Sequence, residues 1–466
     1  MSSSSLFERS GRLFLSATSS LSIRRSNDQP AKLHRDPHRK PEYTGGLTIP
    51  FIGFDFLSFM TISREYYIPI IELRKADGVA DESEPQAIEL GNGLTSKIVQ
   101  YHLRDKESAS IKCGKVVALK TFIHSSSITK KEAVYESITK EIHILSHPLL
   151  YGHPNIIQLH FVGLRKDEAF PVLGMELGSH GSLDHLIRSS WCGLTSTQFQ
   201  QVRRHITIDI AIGLRAIHKA GFAHGDLKPD NVLVMGHSDD SRRVIVKLAD
   251  FGGSLLVPGH DGGWPVHYTP LWCAPEVIIK DPDIDWGRAD IYSYGLVVGS
   301  LWASRQTTGG FGTGLDEPTS CFLSTTVLTT MSKTEELDLF WILKSNVDDT
   351  SQKTVTHHLS EILKLTVPDE TDRMQVLETL KPTLRPYFWL RPDVEDLCQG
   401  LQSLAVRAAR DIRQETLFVS NKRSKSDLSS NPFLFDEYPG FPSTLLAYSD
   451  DVLNAKRVAK NNSFSN

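Results

Sequence analysis

Residues 222–233 read Phe222-Ala223-His224-Gly225-Asp226-Leu227-Lys228-Pro229-Asp230-Asn231-Val232-Leu233. Upstream, Ile206, Ile210, Leu214 and Ile217 recur at helical spacing and stop at Gly221, a C-terminal signal. Downstream, Val232 to Met235 is a short apolar run that reads as a strand. The quoted stretch is therefore a loop between helix and strand, and it carries a carboxylate (Asp226), an ammonium (Lys228) and an amide (Asn231). A base, a cation and a metal ligand can converge there, although an ordinary solvated turn has the same composition. After a polar turn at 237–243, the strand Val244 to Leu248 runs into Ala249-Asp250-Phe251-Gly252, with a second carboxylate at its end. A β-hairpin joining the two loops would bring Asn231 and Asp250 together, as oxygen ligands of Mg²⁺ require.

Working back along the chain, Val116-Val117-Ala118-Leu119-Lys120 alternates as a strand, placing Ala118 and Lys120 on one face and Val117 and Leu119 on the other. The next segment has Val134, Ile138 and Leu145 on one helical stripe, and Glu141 fills the missing position of that apolar face. An inward carboxylate needs a partner, because leaving it unpaired costs several kcal/mol, on the order of the usual penalty for buried charge. Lys120 on the adjoining strand is the natural counterion. Before it, Leu90 to Ile98 reads L-G-N-G-L-T-S-K-I, in which Gly91, Asn92 and Gly93 would form a turn able to offer backbone N–H groups to phosphates. Alone the signal is weak, because a Gly-rich hairpin turn is found in many proteins without any ligand.

The chain has 466 residues with 40% apolar and 23% charged residues, ordinary globular usage that excludes a collagenous, wholly disordered or membrane-embedded chain. A net charge of −4 does not suit a protein whose main task is gripping nucleic acid. Cys113, Cys192, Cys273, Cys321 and Cys398 are scattered and form no C-x-x-C, so neither a disulfide framework nor a zinc site is expected and a reducing, cytoplasmic or nuclear setting is the default. Ile49 to Ile62 is interrupted by Pro50, Asp55 and Ser58 and is too short to span a bilayer. The first forty residues are Ser-rich and basic, faintly like a transit peptide but read here as a disordered tail. Strands first and long helices from about Thr195 give an α+β pattern.

Taken in order, these pieces resemble the eukaryotic protein kinase family. The resemblance rests on Val117-Ala118-Leu119-Lys120, His224 to Asn231, Asp250-Phe251-Gly252, Ala274-Pro275-Glu276, Asp290-Ile291-Tyr292-Ser293-Tyr294-Gly295 and Arg391-Pro392. It implies a two-lobed fold over residues 87–405, with a β-rich N-lobe at about 87–177 and a mainly helical C-lobe at about 178–405. Outside it would lie an N-terminal extension, 1–86, largely disordered with a short apolar segment, and a C-terminal tail, 406–466. The interval from Asp290 to Arg391 is long, which places an insertion at about 307–380, expected to be a surface for partners.

The resemblance also implies roles. Lys120 would hold the α- and β-phosphates of ATP, with Glu141 orienting it, while Asn231 and Asp250 would bind Mg²⁺. Asp226 would accept the proton of the substrate hydroxyl and Lys228 would stabilise the transferring group. Thr269 would bridge Asp226 and Lys228, as in the serine/threonine branch, so that protein Ser/Thr hydroxyls are the expected acceptors. Gly91, Asn92 and Gly93 would cover the phosphates, Met175, Glu176 and Leu177 would form the hinge, and Ile98, Ala118 and Leu233 would sandwich the adenine. Arg391 would pair with Glu276. Two departures stand out: Ser96 replaces the third glycine of the loop, and Gly225 replaces the arginine of H-R-D, a substitution similar to that of kinases from filamentous fungi. Together with the insertion, they keep a pseudokinase scaffold as the alternative. A small-molecule phosphotransferase is disfavoured by Ala274-Pro275-Glu276 and Tyr268-Thr269-Pro270.

Overall fold

The computed structural model describes residues 55–73, 88–92, 96–103, 111, 116–123, 128–165, 169–188, 196–237, 240–257, 268–304 and 349–408. Gly93, the basic tail, residues 74–87, the first part of the expected insertion (307–348) and nearly all of the C-terminal tail lie outside the described residues.

The N-lobe is a six-stranded sheet in the order β1-β5-β6-β4-β3-β2, formed by β1 (Ile70–Glu72), β2 (Glu89–Asn92), β3 (Ser96–His102), β4 (Val116–Phe122), β5 (Leu159–Leu164) and β6 (Val172–Met175). The β1–β5 pair is parallel and the other pairs are antiparallel. The alternation read in β4 divides the layers as expected. Val117 and Leu119 are buried with Leu73, Leu103, Phe161 and Val172 on one side. Lys120 is buried on the other, towards helix α2 (Ile128–Leu145), whose Ile138, Glu141, Ile142 and Leu145 are all buried.

The apolar segment near residue 60 is more than an appendage. Helix α1 (Phe56–Glu65) packs on α2, and β1 completes the edge of the sheet.

The C-lobe is built on helix α4 (Ser196–Lys219), which follows the short α3 (Leu183–Arg188). Ile206, Ile210, Leu214 and Ile217 are fully buried, and the chain turns at Gly221 with φ +84°, a conformation that favours glycine. Next come β7 (Phe222–Ala223), a 3₁₀ turn at Pro229–Asn231, the hairpin β8 (Val232–His237) and β9 (Asp240–Leu248), and β10 (Leu255–Leu256), which pairs with β7. Helix α5 (Pro275–Ile279) precedes α6 (Trp286–Ala303), which is buried along nearly its whole length. Its N-cap is Asp285, whose side chain accepts from the N–H of Arg288.

Helices α7 (Asp349–Thr366), α8 (Glu370–Thr383) and α9 (Val394–Gly400) complete the lobe. The stretch expected as an insertion is thus partly core, because Leu359, Leu363, Val367, Val376, Leu377 and Leu380 are buried in the same cluster as α6. The earlier part of that stretch lies outside the described residues. Arg391 does pair with Glu276, at 2.5 and 2.9 Å, with both side chains buried.

Arg203 on α4 is fully buried, and its guanidinium hydrogen-bonds carbonyl groups, donating to those of Ser304 and Thr366. Ser304 is the C-cap of α6 and Thr366 ends α7, so one cation joins the negative ends of two helices while stacking on Phe199 at 3.9 Å. Burial pushes its pKa down to about 9, which leaves it charged at neutral pH. Arg203→Met would strand both carbonyls without a donor. Urea denaturation is expected to show a loss of about 2–4 kcal/mol, and an unchanged midpoint would contradict this role.

Candidate active site

Three elements deliver one ionic junction between the lobes. Lys120 Nζ, from the middle of β4, lies 2.7 and 3.0 Å from the two carboxylate oxygens of Glu141 on α2 and 2.7 Å from Asp250 Oδ1, just past β9. Lys120 and Glu141 are buried, whereas the Asp250 side chain is 45% exposed. Burial alone would lower the Lys120 pKa, but the charges of Asp250 and Glu141 outweigh it and hold the group above its ordinary value. The Lys120 ammonium in turn holds the Asp250 carboxyl at about 2. Asp250 adopts φ +64°, uncommon for a residue with a side chain, and the junction gives that strained conformation a partner.

The catalytic-loop candidates form a second constellation. Asp226 Oδ2 accepts from Lys228 Nζ at 2.7 Å and Oδ1 accepts from the Thr269 N–H at 2.8 Å. Lys228 also donates to Thr269 Oγ1 at 2.9 Å, so the carboxylate, ammonium and hydroxyl form a closed set. Asn231 Nδ2 donates to the Asp226 carbonyl at 2.8 Å, leaving its own Oδ1 as the group able to ligate a cation. The Ala249 N–H donates to the Asn231 carbonyl at 2.9 Å, and Val232 pairs with Leu248 across the hairpin. Asn231 and Asp250 are thereby neighbours.

Their hard oxygens fit Mg²⁺, which commonly takes one or two protein oxygens and completes its shell with water and phosphate. Among the described residues, no cluster of three His, Cys, Asp or Glu side chains is placed to cage a metal unaided.

At the other end of the cleft, Met175 closes β6 and pairs with Ala118 of β4. The Glu176 N–H donates to the Gln158 carbonyl at 2.9 Å, so of its backbone groups only the carbonyl remains for a ligand, and Leu177 follows half-buried. The Glu176 carboxylate is held by Lys247 at 2.8 Å. Ile98 on β3 pairs with Lys120, placing it beside Ala118 in the sheet, and Leu233 on β8 sits under Gly178, just past the hinge. Gly91 and Asn92 belong to β2, paired with Ile98 and Lys97.

The residues that shape the Asp226 backbone, His224 and Asp290, belong to the quoted motifs, but the sequence assigned them no role. Asp290, buried near the start of α6, accepts from the N–H groups of His224 (2.7 Å) and Gly225 (3.0 Å) and contacts His218 Nε2 at 2.9 Å. Buried His224 contacts the Ala249 carbonyl through Nε2 at 3.1 Å, and its ring lies 5.3 Å from that of Phe251. A carboxylate inside an otherwise apolar helix was the available signal. Gly225 has φ +78°, and a Cβ there would stand 2.8 Å from the Gly253 carbonyl oxygen. A side chain at 225 would therefore require the Gly253 backbone to shift.

Residues 86–381 match the family model for the protein kinase domain, and the chain belongs to that family. It is 32% identical over 190 residues to calcium-dependent protein kinase 4 of Arabidopsis thaliana, covering 39% of this chain and 35% of that protein. It is 30% identical over 221 residues to CBL-interacting serine/threonine-protein kinase 15 of the same plant, covering 46% and 45%. The chain thus spans less than half the length of these relatives.

Gly225→Ala tests the loop geometry. Forcing a Cβ into this φ and against a carbonyl is expected to cost about 1–3 kcal/mol, seen as a lowered thermal midpoint. An alanine variant as stable as the parent would show that the loop does not need glycine.

Proposed function

We propose that the protein is an active serine/threonine protein kinase that transfers the γ-phosphate of Mg-ATP to hydroxyl groups of a protein substrate. The observation that carries this reading is that both constellations, Lys120–Glu141–Asp250 and Asp226–Lys228–Thr269, are complete and closed by hydrogen bonds. A degenerate site kept only as a scaffold has no need for either.

The hinge carbonyl of Glu176 and the apolar Ile98, Ala118 and Leu233 would hold the base, and Gly91, Asn92 and Gly93 would lie over the phosphates. Lys120, kept protonated by its two carboxylates, would bind the α- and β-phosphates in a fixed position. Asn231 and Asp250 would hold Mg²⁺, which when bound neutralises charge on the β- and γ-phosphates.

Asp226 orients the acceptor hydroxyl and takes its proton as the oxygen forms its bond to the γ-phosphorus. The bond from that phosphorus to the bridging oxygen breaks, and ADP leaves with the electron pair. Lys228 offers positive charge to the phosphoryl oxygens in passage, and Thr269 keeps Lys228 and Asp226 in register. Support for Ser/Thr acceptors comes from Lys228 and Thr269 and from the serine/threonine kinase among the similar proteins.

The test is incubation of the purified chain with labelled ATP, Mg²⁺ and a degenerate peptide library, followed by phosphoamino-acid analysis. Phosphoserine and phosphothreonine are expected, with transfer reduced about 10²- to 10⁴-fold by Asp226→Asn. Mainly phosphotyrosine, or near-normal transfer by Asp226→Asn, would sink the assignment. No transfer by a chain that still binds nucleotide would favour the pseudokinase.

A further inference from the structure

The helix that carries Glu141 is gripped from behind by a segment that lies before the residues matched by the kinase family model. Helix α1 begins at a cap in which Asp55 Oδ1 accepts from the Ser58 N–H at 2.8 Å, and it buries Ser58, Phe59 and Ser63. Phe59 is fully buried in the cluster that contains Ile138 and Ile142 of α2. Immediately after α1, the Tyr66 hydroxyl lies 2.6 Å from His143 Nδ1 on α2, and the two rings meet edge to face at 5.6 Å.

Glu141 and His143 are two positions apart, about 200° around the helix, so α2 shows one to Lys120 and the other to Tyr66. Burial lowers the His143 pKa and so favours the neutral ring, whose Nε2-protonated tautomer has Nδ1 free to accept from the phenol.

The grip has a fixed base. Only residues 66–69 separate α1 from β1, and β1 is bonded along β5: the Val162 N–H donates to the Pro69 carbonyl at 2.9 Å and the Leu73 N–H to the Leu164 carbonyl at 2.8 Å. Leu73 is buried against Gly163, where a Cβ would collide with its Cδ1. The segment 55–73 is thus anchored on the same sheet that carries Lys120. The grip also reaches forward, since the His143 ring meets that of Phe222 edge-on at 5.8 Å, in the strand leading to Asp226.

We propose that Tyr66 is a positioning residue, and that segment 55–73 is a built-in brace that sets α2 against the sheet and so holds Glu141 on Lys120. A brace of this kind adds, from within the chain, to the restraint that the 2.7 Å ion pair and the buried apolar face of α2 provide. The kinetic part of this inference rests on the phosphotransferase reading above, while its structural part does not.

The experiment uses the full chain, comparing wild type with Tyr66→Phe, which removes only the hydroxyl, and with Leu73→Ala, which loosens the anchor. Hydrogen exchange of the amides of 138–147 is measured alongside kcat and KM for ATP. Tyr66→Phe is expected to speed exchange in α2 by about 3- to 10-fold and to lower kcat/KM for ATP by a similar factor. That kinetic loss should disappear in a Glu141→Gln background, where there is no carboxylate to position. Unchanged α2 exchange in both variants would overturn the proposal. A kinetic loss of the same size in the Glu141→Gln background would also overturn it, making Tyr66 a general structural contact. If the wild type transfers no phosphate, the phosphotransferase reading fails and the exchange comparison still decides whether the brace exists.

Discussion

A buried ammonium held between two carboxylates is the constraint on which the rest of the structure turns. Taking one ion out of water costs several kcal/mol, and a contact of this length returns about 6 kcal/mol gross at an effective dielectric of about 20. One partner would therefore roughly break even for Lys120. The second, Asp250, tips the balance, though by less than that figure because its side chain is half exposed to water. Since Lys120, Glu141 and Asp250 come from a strand, a helix and the end of a C-lobe hairpin, the junction closes only when sheet, helix and lower lobe are in place together.

The lower lobe supplies a rigid frame for its share. Asp290 binds two successive backbone N–H groups just ahead of Asp226, and His224 ties that loop to the carbonyl before Asp250. These bonds fix the backbone that carries Asp226 and Asp250, and the side-chain contacts to Lys228, Thr269 and Lys120 complete the aim. Arg391 anchors α5 through Glu276, and it also donates to the carbonyls of Arg385, Arg288 and Pro386 and stacks on Tyr292. A guanidinium has enough donors to satisfy all of these at once, which a lysine would not.

Much of this was legible in the residues. The alternation in Val116 to Lys120 and the interrupted stripe containing Glu141 located an ion pair between strand and helix, because periodicity reports which face is buried. The ordered motifs around Asp226 and Asp250 supplied the rest of the site. What stayed hidden depends on partners distant in the chain. Ile70–Glu72 is three residues long and has no readable period, so its parallel pairing with β5 could not be foreseen. Helix α7 and most of α8 fall in the stretch that motif spacing marks as an insertion, because spacing says that residues are extra, not whether they pack. The need for glycine at 225 is a matter of φ and of the Gly253 carbonyl, neither of which has a sequence signature.

The most direct test of the central claim is a double-mutant cycle on phosphotransfer with Lys120→Met and Glu141→Gln. If Glu141 acts by holding Lys120, the double variant should be no slower than Lys120→Met alone, the two losses collapsing into one. Losses that multiply would contradict the account, because they would show Glu141 contributing to catalysis by a route that does not pass through the buried ammonium.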